Sequence, residues 1–484
     1  MASNSSFSTL RLLASLPLLL GLTACTTTGI RSTADATVTP PGQWQHVAEA
    51  NAQQGALDTA ALAEWWHRFN DPVLDQLVGE ALTSSPDIRT AISRVRQAQA
   101  QRGVQRAGLF PSVNAGVSGS GSRTHDREAD TYTNRDSWGA NVGASWEVDL
   151  WGRQRLQLEA ADANFEQSQE SFRAAQVSLA AQVATTYISL RSAESQLAVL
   201  ERNLAIQEQT TQLTRWREQA GLTDNLDTLQ AESSLQQARA SLPSLRQSIQ
   251  QTRNTLAALT GQTPGALDAL LTASQPIPAV PPQIMVGIPA EALRQRPDVR
   301  AAEQLVRAAV ALNRNAQLQR LPSFSLSGSL GADADNLGDL VDPQSVVASL
   351  AGNLTAPIFQ AGRIRQNIVI QNEQTEQALI AYEATVLNAL AEVENALIAT
   401  RTTSERLATL AQATDSAREA SRLATLRYES GEADILDVLT AQRTLLSLED
   451  QQASTRASQA NAHIQLYRAL GGGWTAAIPT LSAN

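Results

Sequence analysis

The sequence predicts a mainly α chain with transmembrane β, an internally duplicated protomer that supplies four β-strands and long helical hairpins. Three observations predict this class. The chain repeats itself: Pro86-Asp87-Ile88-Arg89 returns as Pro297-Asp298-Val299-Arg300, and at a constant offset of 211 the match runs ungapped for about 25 residues, to Pro111-Ser112 and Pro322-Ser323. Two stretches, Arg153 to Ala220 and Arg363 to Ser430, contain neither Gly nor Pro over about 68 residues each. Ahead of each stretch, apolar and polar residues alternate with the period of a strand.

The N-terminus has Arg11, an apolar stretch from Leu12 to Leu22, then Leu22-Thr23-Ala24-Cys25, the form of an export signal ending in a lipoprotein box. Residues 1–24 are read as the signal peptide and the Cys25 thiol as the group acylated, with palmitate as the lipid. Cys25 is the single cysteine, so neither an internal disulfide nor a cysteine cluster for metal can form. Thr26 follows it, so the aspartate that retains lipoproteins at the inner membrane is absent. The reading is an outer-membrane lipoprotein of a double-membraned bacterium.

Residues 25–85 are expected to form a lipid-anchored N-terminal segment and an equatorial region, and 86–265 the first repeat: a short helix, two strands, a long helix, a turn and a second helix. A Pro-rich linker at 266–290 holds Pro276, Pro278, Pro281, Pro282 and Pro289 and is read as surface structure. The second repeat covers 291–472 and the tail 473–484.

In the strands, Trp138, Ala140, Val142, Ala144, Trp146, Val148 and Leu150 alternate with Ser, Gly, Asn, Glu and Asp, and Val346, Ala348, Leu350, Leu354, Ala356 and Ile358 repeat the pattern around Gly352. Val113-Ala115-Val117 and Phe324-Leu326-Leu330 are their partners, across polar loops at about 121–136 and 331–345. Alternation over roughly 10 residues fits a transmembrane barrel strand, with Trp138, Trp146 and Trp151 as membrane-interface aromatics. A soluble half-buried sheet is the competing reading. Four strands cannot close a barrel, and lipid does not tolerate open edges. If the strands cross a membrane the protein must be a cyclic oligomer, and three copies, a homotrimer, would give a 12-stranded β-barrel and 12 helical struts.

A continuous helix of 68 residues is on the order of 100 Å long at 1.5 Å per residue. Val183, Leu190, Leu197 and Leu204 recur every seventh residue, as do Leu379, Val386 and Val393, the spacing of coiled-coil packing. Ala, Ser, Gln and Thr fill many neighbouring positions, which suits helices set side by side in a wall. Return segments, Leu222 to Thr260 and Glu432 to Leu470, are about 39 residues long, too short to match the long helices. Short helices at 87–107 and 298–318, stacked end to end on them, make each copy an antiparallel pair of equal length.

Composition excludes other classes. Charged residues are 17% and aromatics 4% of 484, net charge is −10, and mean hydropathy is −0.20. No apolar run reaches the roughly 18 residues of a membrane helix. The acidic balance argues against nucleic acid, which needs clustered basic residues. Every basic residue is arginine, as a GC-rich genome would produce. His46, His67, His125 and His463 are scattered, and no nucleophile elbow or phosphate loop is present, so no catalytic residue, metal site or cofactor beyond the Cys25 lipid is expected. Met1 and Met285 are the only methionines, too few for a copper conduit.

Taken with Trp65-Trp66-His67-Arg68-Phe69-Asn70-Asp71-Pro72, the run Val286-Gly287-Ile288-Pro289 through Arg300-Ala301-Ala302-Glu303, and Tyr428-Glu429-Ser430-Gly431 leading to Asp437-Val438-Leu439 and Ala441-Gln442-Arg443, the chain resembles the TolC-like outer-membrane efflux factors. The match is to their lipidated OprM-like branch, from the lipobox to Gly473. The resemblance implies a trimeric duct with a periplasmic α-helical barrel, docking on a periplasmic adaptor and an inner-membrane resistance-nodulation-division pump. It places the turns at Gly221 and Gly431 at a periplasmic gate. Asp224, Asp227, Asp434 and Asp437 would then ring the mouth, with N-capping as the alternative role of Asp224 and Asp434. Tyr428 and Arg443 match family positions that tie helices together when closed, with Leu436 beside them. The family's acidic residue three positions before that arginine is Thr440 here, leaving Asp437 or another nearby carboxylate to substitute.

Three functions follow: an exit duct for drugs or other small solutes, the same duct in a type I protein-secretion system, and a lipid-tethered periplasmic coiled-coil scaffold. The lipobox and linker run favour the first over the second. The strand from Trp138 to Leu150 weighs against the third.

Overall fold

The structure, a computed structural model, describes residues 30–47, 52–55, 58–281 and 284–475. Cys25 and the signal segment 1–24 lie outside the described residues. The elements run β1 (Ala52–Gln54), α1 (Thr59–Ala63), α2 (Pro72–Ser84), α3 (Pro86–Ala107), β2 (Ser112–Asp126), β3 (Thr131–Val148), α4 (Arg153–Gln219), α5 (Asn225–Leu259), β4 (Ile284–Val286), α6 (Pro289–Gln295), α7 (Pro297–Leu318), β5 (Ser323–Ala334), β6 (Val346–Thr355), α8 (Arg363–Glu429) and α9 (Ile435–Ala469). The order α3-β2-β3-α4-α5 returns as α7-β5-β6-α8-α9. Equivalent helices match in length, 67 residues for α4 and α8 and 35 for α5 and α9.

The chain divides into two compact units. One, from residues 30–35, 111–157 and 309–377, carries an antiparallel sheet in the order β2-β3-β5-β6. Its register sorts side chains by face, because residues directly opposite each other point the same way. Across the sheet Ala115, Val142, Leu330 and Ala348 fall in one row, and Val113, Ala144, Gly328 and Leu350 in another. Trp146, Leu326 and Gly352 share that face, which explains the break at Gly352. Ser112 with Ser145, Asn114 with Gly143, and Ser329 with Ser349 lie on the other face. There the hydroxyls of Ser112 and Ser145 are 2.9 Å apart and those of Ser329 and Ser349 2.8 Å. The apolar face is uncovered, with Val117, Leu330, Leu350 and Leu354 exposed. Both edge strands, β2 and β6, lack an outer neighbour among the described residues.

The loop expected at 121–136 is mostly strand: β2 continues to Asp126 and β3 starts at Thr131. Ser, Thr and Arg pair there as readily as apolar residues because neither face is buried. Between β5 and β6 the connection holds short 3-10 turns at Leu337–Val341 and Pro343–Ser345.

The other unit, from 36–110, 158–308 and 378–475, is helical. Its heptad positions Val183, Leu190, Leu204, Leu379, Val386 and Val393 are buried. Trp65, Phe69, Leu74, Leu77, Tyr187, Leu256 and Tyr467 meet in one core, where the Trp65 and Tyr467 rings stack 5.4 Å apart. The Pro-rich segment is not wholly superficial: Leu271 and Val286 are fully buried, and β4 pairs in parallel with β1. Leu and Val within a proline-rich run still drive burial, and a short parallel pair needs no helical propensity.

Arg191 is fully buried in this core. It donates to the Tyr187 hydroxyl (3.0 Å), the Glu194 carboxylate (2.7 Å) and the Ala273 carbonyl (3.0 Å), while Tyr187 donates to Asp71 (2.7 Å). Removing one partner of a buried ion pair strands the other. Arg191→Ala is therefore expected to destabilise the protein by about 3–5 kcal/mol, read as a lowered midpoint of urea unfolding; an unshifted midpoint would show that the network is not structural.

Each hairpin also carries an ion pair that names its partner. Glu208 of α4 accepts from Arg239 of α5 at 2.6 Å, whereas at the equivalent positions Arg418 of α8 donates to Glu449 of α9 at 3.0 Å. The charges are exchanged between repeats, so pairing α4 with α9, or α8 with α5, would set like charges opposite each other.

Candidate functional site

The site lies where each long helix turns back. Helix α4 ends in a Schellman motif: Gly221 N–H donates to the Glu218 carbonyl (2.9 Å) and Leu222 N–H to Arg217 (2.8 Å). Helix α8 ends in the same way, Gly431 to Tyr428 at 3.1 Å and Glu432 to Arg427 at 2.8 Å. Gly221 and Gly431 have φ of 70° and 81°, the left-handed geometry this motif requires. Asp224 caps α5 by accepting from Leu226 N–H (2.9 Å), and Asp434 caps α9 by accepting from Leu436 N–H (3.4 Å). Helices α5 and α9 consequently begin at Asn225 and Ile435 rather than at Leu222 and Glu432.

Beneath the second turn sits an apolar plug of Tyr428, Ile435, Val438 and Leu439, joined by Leu213 from α4 and Ala424. Arg217, at the end of α4, locks onto it. Its guanidinium carbon lies 4.8 Å from the centre of the Tyr428 ring, and Nη1 donates to the carbonyls of Tyr428 (2.9 Å) and Glu429 (3.3 Å). These are terminal carbonyls of α8, at the negative end of its dipole, so the arginine gives the Tyr428 carbonyl a second donor beside Gly431 N–H and reaches the Glu429 carbonyl as well. Deeper between the hairpins, Gln442 donates to the Thr210 hydroxyl at 2.9 Å. The Tyr428 hydroxyl is buried with no hydrogen-bond partner.

Asp227 completes the site. Burial pushes its carboxyl pKa up, the charges of Asp434 and Asp224 push it further, and Arg217 opposes them. Asp224, Asp227, Asp434, Arg217 and Tyr428 thus form one electrostatic group. Leu436 and Asp437 are exposed, as is Arg443. Arg443 is not placed with Tyr428: it lines a groove of about 520 Å³ beside Gln207, Ser234 and Leu446. Within the chain it is Arg217, not singled out by the sequence motifs, that meets Tyr428. A signal was present, because Arg217 and Arg427 each stand four residues before a turn glycine. In the sheet, Trp138 and Trp146 share the apolar face, and Trp151 donates its ring N–H to the Pro322 carbonyl at 2.6 Å. Among the described residues no helix is long and apolar enough to cross a membrane, and no acidic, His or Cys group is placed to hold a metal.

A sheet with an uncovered face that is apolar from Val113 to Val117 and from Trp138 to Val148, carried on a chain of long helical hairpins with locked turns, is the architecture of an outer-membrane channel. Residues 77–262 and 288–472 match the model of the outer membrane efflux protein family, and the chain belongs to that family. It is 34% identical over 472 residues, 96% of this chain and 98% of the relative, to the pyoverdine export outer membrane protein OpmQ of Pseudomonas putida. It is 31% identical to the probable efflux pump outer membrane protein TtgC of the same species, over 89% of this chain and 90% of the relative. Among solved structures, the outer-membrane channel OprN superposes with a TM-score of 0.85 at 32% identity, over 93% of this chain and all of that one. The open state of the Neisseria gonorrhoeae MtrE channel gives 0.80 at 30% identity, over 90% of this chain and 96% of that one.

Proposed function

We propose that this chain is the exit duct of a tripartite efflux pump, passing drugs or other small solutes from an inner-membrane resistance-nodulation-division pump and its periplasmic adaptor to the outside. The observation that carries the reading is the sheet. A broad apolar band between two open edges is poorly tolerated in water and in lipid alike until the edges pair, and three copies would close a 12-stranded barrel, with the long helices forming a periplasmic α-helical barrel. Trp138 and Trp146 stand eight residues apart, roughly 27 Å of strand, which at the tilt of about 35–45° in such barrels spans roughly 20 Å of their apolar band of about 25 Å. The Cys25 lipid supplies a second hold on the outer membrane.

The duct performs no chemistry. Its turns form a gate that Arg217 holds shut, and adaptor binding opens it through greater affinity for the dilated state. Relatives named for pyoverdine, toluene and antibiotic export share this scaffold, which fits a conduit whose cargo is chosen by the pump. Deletion of the gene is expected to sensitise its host to several unrelated solutes, restored by the wild-type copy. Unchanged tolerance to every pump substrate would contradict the assignment, and loss of secretion of one large protein would favour a type I secretion duct.

Acid should steady the gate. Because Asp227's pKa is raised where the carboxylates crowd, its favourable contribution to the closed tip is present at low pH and lost as pH rises through that pKa. Open probability is expected to fall on acidifying from neutrality, and Asp227→Asn to flatten the response. A wild-type pH response in Asp227→Asn would remove Asp227 from the gate.

A further inference from the structure

The two repeats fold alike but present unlike faces. A groove of about 640 Å³ runs between α3 and α4. Its polar residues recur at every seventh position, Asp87-Arg94-Gln101 on α3 and Asn164-Ser171-Ser178 on α4, so each helix contributes one continuous stripe. In the second repeat, at the offset of 211, Asp298 is kept, but Thr90, Arg94, Gln97 and Gln101 become Ala301, Leu305, Ala308 and Leu312. Leu305 is 46% and Leu312 41% exposed. Helix packing alone does not explain the change, because the packed positions keep their character: Ile88 and Val95 correspond to Val299 and Val306, and all four are buried.

The groove opens away from the core. Ile88 and Val95 of α3, with Ala180, Val183 and Tyr187 of α4, turn instead toward Trp65 and Leu77. Twelve struts set roughly 10 Å apart enclose a bore of about 14 Å free radius once the helices' own thickness is removed. Three copies of that core layer do not fit inside it, so the layer lies outside the ring and the groove faces the bore. Along α3 the groove sets opposite charges about 10.5 Å apart, since Asp87 and Arg94 are separated by seven residues of helix. Among the described residues neither side chain has an ion-pair partner. An extended tripeptide spans at most about 10–11 Å, with an ammonium at one end and a carboxylate at the other. Thr90, Ser178 and Gln182 line the same groove and offer hydroxyl and amide groups to a peptide backbone.

We infer that this groove is a transit site for zwitterionic, peptide-like solutes of about three residues, with the carboxylate on Arg94 and the ammonium on Asp87. The Leu305 stripe of the second repeat is the wall without such a site, so the bore alternates binding and non-binding tracks. The inference deepens the exit-duct reading and rests on it for the groove's place in the bore. Exposed charge pairs hold weakly and are screened by salt. A conduit requires this, because a solute that binds must also leave.

The test is saturation-transfer difference NMR of the tripeptide triglutamine with the full-length lipoprotein. A signal is expected from the wild type and from Arg94→Lys, and one reduced roughly fivefold from Arg94→Gln. The same reduction is expected when the peptide's two termini are capped by acetyl and amide groups. No signal from the wild type, or an equal signal from Arg94→Gln or from the capped peptide, would overturn the site. A second arm places the site in the bore: triglutamine should lower the planar-bilayer current through trimers of Arg217→Ala, and less so when Arg94→Gln is added. A current that triglutamine leaves unaltered, despite a wild-type NMR signal, would overturn the transit role. Native mass spectrometry of the same sample separates these failures from that of the duct: folded monomers that pass no current overturn the exit-duct reading itself.

Discussion

Arg217→Ala opens the channel: its resting conductance in planar bilayers is expected to rise by at least about tenfold, since a shift of roughly 1.4 kcal/mol in a two-state equilibrium suffices for that. The removed contacts exceed it. Hydrogen bonds from a charged donor are worth about 1.5–3 kcal/mol each, and a cation over an aromatic face about 0.5–2 kcal/mol. Half-burial of Arg217 discounts these values, but the loss recurs in every subunit. Tyr428 separates this account from a gate built on its hydroxyl. Tyr428→Ala removes the ring beneath the guanidinium and the centre of the apolar plug, and should match Arg217→Ala. Tyr428→Phe removes only a hydroxyl that has no partner, and should leave conductance near wild type. Arg443→Ala, away from the plug, should also have the smaller effect. Equal opening by Arg443→Ala and Arg217→Ala would show that the tip has been assigned to the wrong arginine.

Leu330→Arg is expected to abolish assembly in the membrane. Leu330 lies in the apolar row with Val142 and Ala348, and an arginine near the midplane of a barrel's lipid face costs about 2–4 kcal/mol per strand position, three times per trimer. Asn141→Arg, on the neighbouring strand but the polar face, places the same charge in water and should assemble normally while shifting ion selectivity toward anions. Heat-modifiable trimers extracted from outer membranes report both results. Equal tolerance of the two substitutions would mean that the apolar face does not meet lipid, and would return the sheet to the soluble reading.

Much of this molecule was legible in its sequence because its elements are governed by period. Strand alternation from Trp138 to Val148 and heptads such as Val183-Leu190-Leu197-Leu204 depend on near neighbours, and duplication allowed each reading to be checked against its copy. What escaped depends on contacts between distant segments. Nothing local distinguishes Arg191, buried among Tyr187, Glu194 and Ala273, from the exposed arginines of the same helices. Arg217 was overlooked because its acceptors, the carbonyls of Tyr428 and Glu429, belong to the end of another helix and carry no side-chain signature. The polar residues of 121–136 read as a loop because a strand exposed on both faces has no buried side to set a pattern. Asp224 and Asp434 are legible as helix caps, whereas their charge beside Asp227 depends on the approach of the two turns.

The measurement that bears most directly on the central claim is single-channel conductance of the purified lipoprotein in planar bilayers, with subunit number taken from the same sample by native mass spectrometry. Trimers with small, mostly closed conductance that becomes large and steady in Arg217→Ala are expected. Folded monomers that pass no current, in the wild type and in Arg217→Ala alike, would contradict both the barrel and its gate.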